Sequence, residues 1–236
     1  MFKDIKKYVI NLKRNPERLK LMLEEIQYMG IDVEIREGID THSHVGCALS
    51  HLEVIKMAKE QGLDKVMVME DDLFFMPYAK SLLKDLEEGL RGMDYSVLNL
   101  SPSIHRPVSK RYNLLLDISD LPPKEEKHRD IFSTGCIIYS KEIYDELLNY
   151  DDMIAVDELL ANSIYPSYQS YIPILPICCQ HNNYSEVSGD FYNNFFIQTY
   201  NWNGYCPTKL PTNYFDFNYV KKIREKGDVN YKTILN

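Results

Sequence analysis

Neither familiar phosphate-cradling loop occurs in this chain: no Gly-x-Gly-x-x-Gly opens a helix, and no Gly-x-x-x-x-Gly-Lys-Ser/Thr is present. Dehydrogenase and P-loop readings lose their main support. No apolar run approaches the length of a membrane span, and the start Met1-Phe2-Lys3-Asp4-Ile5-Lys6-Lys7 lacks the apolar core and cleavage site of a signal peptide. A cytoplasmic protein is expected, with peripheral membrane contact left open. Zinc-type cysteine spacing is missing: Cys47, Cys136, Cys178, Cys179 and Cys206 form an odd set, and the adjacent Cys178-Cys179 reads as strand interior. Disulfides and structural zinc are not expected. Basic charge is in deficit, 27 Lys and Arg against 35 Asp and Glu for a net charge of -8, a poor field for nucleic acid. The one basic cluster, Lys221, Lys222, Arg224 and Lys226, reads as a solvated helix face, or else as a membrane-surface or glycolipid contact. The triplets Asn99-Leu100-Ser101 and Asn183-Tyr184-Ser185 mean little without secretion.

What is present is the material of one α/β domain: 236 residues, 44% hydrophobic and 26% charged. Strand and helix signals alternate, the pattern of a mainly parallel sheet with helical crossovers. Tyr8 to Leu12 reads as the first strand, and Asn15 and Pro16 start a helix with Leu19, Met22, Leu23, Ile26 and Met29 inward, stopped by Gly30. Val33 to Arg36 reads as a strand, and Cys47 to Gln61 as a helix closed by Gly62. The run Lys65 to Met69 is nearly all apolar, as a central strand should be. Further on, Pro77 to Leu90 reads as a helix, Tyr95 to Leu100 as a strand, Tyr112 to Leu116 as a strand, and Ile131 to Tyr139 as a return strand. Its interior Gly135 suggests a bulge or a close backbone approach by ligand. Lys141 to Tyr150 and Val156 to Asn162 read as helices, and Tyr171 to Cys179, with Pro173 and Pro176, as an edge strand.

Glu70-Asp71-Asp72 stands between the apolar runs Val66 to Met69 and Leu73 to Met76. Adjacent like charges raise one another's pKa, and apolar flanks imply partial burial, so the triplet needs a neutralising cation. An acidic turn or cap is the plainer alternative. The position, at the carboxyl end of a strand, is where open α/β sheets bind ligands. With no phosphate loop, a metal must handle any phosphates, as it does in nucleotide-sugar transferases.

Three blocks, Tyr8-Val9-Ile10-Asn11-Leu12-Lys13-Arg14-Asn15-Pro16-Glu17-Arg18, Gly46-Cys47-Ala48-Leu49-Ser50-His51 and Glu70-Asp71-Asp72, occur in the order and spacing of family 25 glycosyltransferases. The chain resembles the group that includes bacterial lipooligosaccharide galactosyltransferases and procollagen galactosyltransferases, over roughly Lys7 to Asp190. The resemblance implies a GT-A fold over 1–190 with an irregular aromatic-rich extension, 191–236, packed on the same domain. It also implies a UDP-sugar donor, most often galactose, a divalent cation (Mn²⁺ or Mg²⁺), inversion at the sugar carbon, and a glycan, glycolipid or peptide acceptor.

Carried over residue by residue, Asp72 is the expected metal ligand, with Glu70 sharing its face if the segment stays extended and Asp71 pointing the other way, counted with the donor-binding residues. Val9, Ile10, Asn11 and Leu12 match the strand that borders the nucleoside. Arg14 and Arg18 meet the diphosphate or merely pair with Glu17 and other surface acids. Ser50 and His51 match the family's Ser-His pair, the alternative being an ordinary core histidine. For the base that must deprotonate the acceptor hydroxyl, Asp157 and Glu158 are the candidates, against the plain reading of first-turn helix acids. His181 is a further candidate metal ligand, although His42, His44, His105 and His128 show histidine without obvious duty. The segment His42-Ser43-His44-Val45 departs from the family pattern, where an acidic residue is expected. Acceptor choice is expected in Ser101 to Lys127 and the tail. Most tail aromatics read as core cover, some as sugar-stacking surfaces. A nucleotidyltransferase of related fold and an inactive transferase-like binding protein remain as alternatives.

Overall fold

In the computed structural model, residues 2–41, 43–119, 131–149, 155–184, 191–192 and 202–235 are described. His42, Lys127, His128, Ser185 of the second glycosylation-type triplet, Asp190 and the tail stretch 193–201 lie outside them.

The first half of the chain alternates as its periodicity predicts. Strand β1 (Lys6–Asn11) leads into α1 (Pro16–Met29), β2 (Glu34–Glu37), α2 (His44–Glu60), β3 (Lys65–Glu70), β4 (Leu73–Phe75) and α3 (Ala79–Gly89). Pro16 sits in the first turn of α1, and Gly30 ends it with a left-handed φ of 65° that a side chain would strain. Ser43 caps α2, its side chain accepting from the Val45 amide. Helix α1 buries Met22, Glu25 and Ile26, whereas Leu23, expected inward, is exposed. The helix is rotated so that Glu25 reaches a buried partner described below.

The second half brings β5 (Val97–Asn99), β6 (Ser103–Ile104), β7 (Arg111–Tyr112), β8 (Leu115–Asp117), β9 (Ile131–Phe132), β10 (Cys136–Ser140), α4 (Tyr144–Leu148), α5 (Val156–Leu159), α6 (Tyr165–Ser167), β11 (Ser170–Pro173), β12 (Cys178–Gln180), β13 (Asn183–Tyr184) and β14 (Phe191–Tyr192). A helical turn at 202–205 (α7), α8 (Phe217–Arg224) and α9 (Lys232–Leu235) finish it.

Eight strands form the main sheet in the order β2-β1-β3-β10-β5-β11-β8-β7. Only β10 and β8 run against the others, since β2, β1 and β3 pair in parallel, β5 and β11 pair in parallel, and β10 and β8 each pair antiparallel on both sides. The result is the expected Rossmann-like α/β fold with a mostly parallel sheet flanked by helices. Its centre is β3, whose Val66, Val68 and Met69 are fully buried. One contiguous apolar cluster runs from Phe2 to Tyr231.

Four expectations need correction. Tyr112 to Leu116 is a hairpin rather than one strand, because Asn113 adopts a left-handed φ of 51° and turns the chain between β7 and β8. Ile131 to Tyr139 is broken: β9 leaves to pair with β6, Ser133 takes a φ of 73°, and β10 begins at Cys136. Gly135 in that break is approached by protein, since a Cβ there would lie 2.8 Å from Leu73 Cδ2 and 2.9 Å from Ser101 Oγ. The proline-containing segment is two strands, and β11 is internal, flanked by β5 and β8. Pro173 is tolerated because it ends β11, beyond the residues that pair with β5. The helix from Val156 also runs past Asn162 through a π-turn at Leu160–Ile164 into α6, where Pro166 supplies no amide to the ladder.

Candidate active site

The chain turns immediately after β3 ends at Glu70, and that turn determines what the acids face. An extended segment would throw Asp71 to the opposite side from Asp72. Instead Asp71 and Asp72 occupy a turn between β3 and β4 and converge on one cation: Arg18 of α1 pairs with Asp71 and lies 3.1 Å from Asp72 Oδ2. Both acids are buried. Asn11, the last residue of β1, anchors the turn by donating its Nδ2 to Asp71 Oδ2 and to the Asn15 carbonyl. Burial, reinforced by the charges of Asp72 and Glu70, pushes the Asp71 carboxyl up to about 7 despite Arg18 and Asn11. Burial would weaken the Arg18 guanidinium's hold on its proton, but the charges of Asp72, Asp71 and Glu70 raise it.

Glu70 looks two ways. Its Oε2 lies 3.5 Å from the Gln180 amide nitrogen, which stands equally far from Asp72 Oδ1, so one side-chain amide spans the two carboxylates. Its Oε1 accepts from Thr134 Oγ1 at 2.6 Å and lies 3.6 Å from His51 Nε2 and 4.0 Å from Cys47 Sγ. Burial would raise the Glu70 carboxyl, but His51 and the Thr134 hydroxyl together hold it below its ordinary range. Thr134 reaches Glu70 because of the break before β10: the Gly135 carbonyl receives the Glu70 amide at 2.8 Å.

The Ser-His pair divides its work. Ser50 donates to the Gly46 carbonyl at 2.6 Å and accepts from the Ile39 amide at 2.7 Å, so it fastens the loop before α2 to the helix. Gly46 is dictated by the same close packing, since a Cβ there would lie 2.4 Å from the Ile39 carbonyl oxygen. His51 is fully buried, with Nδ1 3.2 Å from the Tyr139 hydroxyl. Val9 is buried in β1 and Ile10 and Leu12 are half-buried; Ile10 and Leu12 both pack close to Gly38. Arg14 pairs with Asp40, apart from the acids, so of the two arginines it is Arg18 that enters the cluster.

Asp157 and Glu158 lie in the first turn of α5. Asp157 is close enough to raise the thiol of Cys47 and the hydroxyls of Tyr139 and Tyr165 electrostatically, although burial is the larger cause in each case. It therefore lies near Cys47, Tyr139 and Tyr165. His181 lies beyond Asp72, whose carbonyl accepts the His181 amide at 2.7 Å. Its ring packs against Phe74 at 5.3 Å and Phe217 at 4.3 Å, and burial, with the charges of Arg18 and Arg224, lowers it to about 4. Cys47, Thr134 and Gln180 are the residues sequence reasoning missed. The four-residue spacing of Cys47 and His51 was available as a signal; Thr134 and Gln180 arrive by long-range pairing.

A hard divalent cation takes oxygen ligands, and Asp72 Oδ1 and Glu70 Oε2, drawn around one amide, supply a fitting donor set.

Fold and acidic turn define the class, an α/β protein with a mostly parallel sheet and its carboxylates at the end of the central strand. The comparisons with known proteins show a family resemblance. The model of glycosyltransferase family 25 (LPS biosynthesis protein) matches residues 41–133, which contain Gly46 to His51 and Glu70 to Asp72. A glycosyltransferase 25 family member of Aedes aegypti is 28% identical over 31% of this chain and 17% of that protein. Procollagen galactosyltransferase 2 of Mus musculus is 28% identical over 34% of this chain and 18% of its own length. The chain thus resembles glycosyltransferase family 25, as its motifs imply, while spanning less than a fifth of the length of these two relatives. Among solved structures, a glycosyltransferase involved in the glycosylation of the major capsid of PBCV-1 superposes with a TM-score of 0.44 at 11% identity, covering 71% of this chain and 80% of that chain. Among the described residues, no helix is long and apolar enough to cross a membrane.

Proposed function

We propose that this chain is an inverting, metal-dependent glycosyltransferase that moves a hexose, galactose first, from a UDP-sugar to a hydroxyl of a glycan, glycolipid or hydroxylated peptide. The observation that carries this reading is the convergence of Asp71, Asp72 and Arg18 at the turn closing the central strand. Three buried or half-buried carboxylates against one guanidinium leave an excess of negative charge that a divalent cation, Mn²⁺ or Mg²⁺, would offset. Asp72 and Glu70 would hold it, and bound there it would stabilise the donor's diphosphate as a leaving group.

The chain's own residues supply the rest. Asn11 fixes Asp71 and hence the turn, so the Asp72 carboxylate is positioned before any donor arrives. Arg18 sits within reach of the same oxygens and, with its side chain 23% exposed, is the side chain available to pair with the diphosphate. The acceptor hydroxyl must lose its proton as it attacks, and Asp157 at the start of α5 is the base we assign, in preference to Glu158, because its charge is near enough to act on Cys47. The relatives named as galactosyltransferases support galactose as the donor sugar.

The test is product analysis. With Mn²⁺, UDP-galactose and a panel of glycans and hydroxylysine peptides, we expect UDP release, a fall of roughly 10²-fold or more in Asp157→Asn, and none of the pyrophosphate that a nucleotidyltransferase would form from a nucleoside triphosphate. Undiminished turnover in Asp157→Asn would remove the assigned base.

A further inference from the structure

Cys47 and His51 stand four residues apart on α2, so their side chains emerge from one helix face. That face meets the end of β3. The Cys47 Sγ, a ring nitrogen of His51 and a carboxylate oxygen of Glu70 all lie within 4.8 Å of one another. Donors around a tetrahedral ion with bonds of about 2.0–2.3 Å are separated by about 3.3–3.8 Å. The observed separations of 3.6 Å from His51 Nε2 and 4.0 Å from Cys47 Sγ to Glu70 Oε1 lie within about half an ångström of that range, and the third is under 4.8 Å, so small side-chain adjustments close the site.

His51 provides an independent observation. Its side chain is fully buried, its Nδ1 engages Tyr139, and its Nε2 stands 3.6 Å from Glu70 Oε1, within ion-pair reach but too far for a hydrogen bond. Buried ring nitrogens seldom lack a partner. In the neutral tautomer whose Nδ1–H donates to the Tyr139 hydroxyl, Nε2 presents a lone pair to the gap between Cys47 and Glu70; a ring carrying a proton on Nε2 pairs with Glu70 instead, and an entering cation displaces that proton to solvent. Metal-binding histidines are held by their other nitrogen in this way.

We infer that Cys47 Sγ, His51 Nε2 and Glu70 Oε1 form a site for one thiophilic divalent cation of the Zn²⁺ or Co²⁺ class. A sulfur and a nitrogen donor set it apart from the all-oxygen pair at Asp72 and Glu70 Oε2, which suits Mn²⁺ or Mg²⁺. Binding displaces the Cys47 proton to solvent, and a thiolate plus a carboxylate then cancels the ion's two positive charges, as an enclosed site requires. Three protein donors leave the fourth position to water or a substrate oxygen. Tyr139 and Thr134 orient two of the donors through the bonds they already make. The ion would pin α2 to the acid-bearing strand. The inference does not depend on sugar transfer.

The full chain, incubated with Zn²⁺ and dialysed against metal-free buffer, is compared by elemental analysis with Cys47→Ala and Asp72→Asn. We expect about one zinc per chain in the wild type and in Asp72→Asn, and a loss of roughly tenfold or more in occupancy in Cys47→Ala. A second measurement needs no variant: Co²⁺ added to the wild-type chain should produce a near-ultraviolet thiolate-to-cobalt charge-transfer band. Wild-type protein that retains no zinc, Cys47→Ala that retains as much as wild type, loss of the zinc in Asp72→Asn, or cobalt loading without the band would overturn the site. None of these readouts uses a sugar nucleotide, so failure of the transferase reading leaves them unaffected.

Discussion

At the scale of the residue, Asp71 carries an unusual burden: a carboxyl in a buried turn beside two other acids, balanced mainly by Arg18. Its folded pKa of about 7 lies above its ordinary 3.8. Between those values the folded chain binds a proton that the unfolded chain has lost, so this group's contribution to stability falls as pH rises through that window. Asp71→Asn removes the decline. Urea unfolding should show the variant gaining on wild type by on the order of 1–3 kcal/mol between pH 5 and pH 8; parallel pH profiles would show that Asp71 is ionised throughout. Gly46 is the other residue whose identity is fixed by its surroundings. Gly46→Ala puts a methyl 2.4 Å from the Ile39 carbonyl oxygen and 2.7 Å from Thr41 Oγ1, and we expect a loss of about 1–3 kcal/mol in the same unfolding assay. An unchanged midpoint would mean that the loop before α2 yields freely.

The sequence disclosed the cluster of acids but not their neighbours. Glu70-Asp71-Asp72 was conspicuous because charge interrupts an apolar strand, whereas the choice of Arg18 over Arg14 depends on a helix phase that places one arginine over the turn and sends the other to Asp40.

At the scale of the element, α8 is the clearest departure from expectation. Its basic residues read as a solvated face, and Lys221, Lys222 and Lys226 are exposed as expected, yet Arg224 is half-buried and forms a two-pronged pair with Glu25 of α1, with nitrogen-to-oxygen distances of 2.6 and 2.5 Å. The same residues grip β4: Glu25 accepts the Phe75 amide at 2.8 Å and Arg224 donates to the Phe75 carbonyl at 3.1 Å. Helix α8 thus locks α1 to the strand that follows the acids. Arg224→Ala strands a buried carboxylate and should cost about 3–5 kcal/mol, while Glu25→Leu with Arg224→Met should cost much less than the two single losses added together. Additive losses in thermal or urea unfolding would deny the coupling. This tie was illegible in sequence, because Glu25 and Arg224 lie 199 residues apart. Local signals served better: Pro16 and Gly30 marked α1, and the run Val66 to Met69 marked β3. They failed where one residue reverses the chain, at Asn113 and Ser133, since positive φ at a non-glycine residue leaves no pattern in composition.

At the scale of the whole molecule, the parts join around the end of β3. Strand β1 brings Asn11, α1 brings Arg18, α2 brings His51, the break before β10 brings Thr134, and β12 brings Gln180. The C-terminal segment closes on the same body, with Val229 donating to the Pro77 carbonyl and Tyr231 to Asp85. The α/β class and the strand carrying the acids were legible from alternation, whereas the order of the second half was not, because β10 and β11 are inserted between strands distant in sequence. The proposed activity requires the acidic turn to hold a sugar nucleotide through a divalent cation. The most direct measurement of that binding is the melting temperature of wild type and Asp72→Asn with UDP-galactose, each with and without Mn²⁺. At donor concentrations near 100 times Kd, wild type with Mn²⁺ should gain about 2.7 kcal/mol, seen as a rise of several degrees, and Asp72→Asn should gain nothing; a flat wild-type trace, or equal protection of the variant, would contradict it.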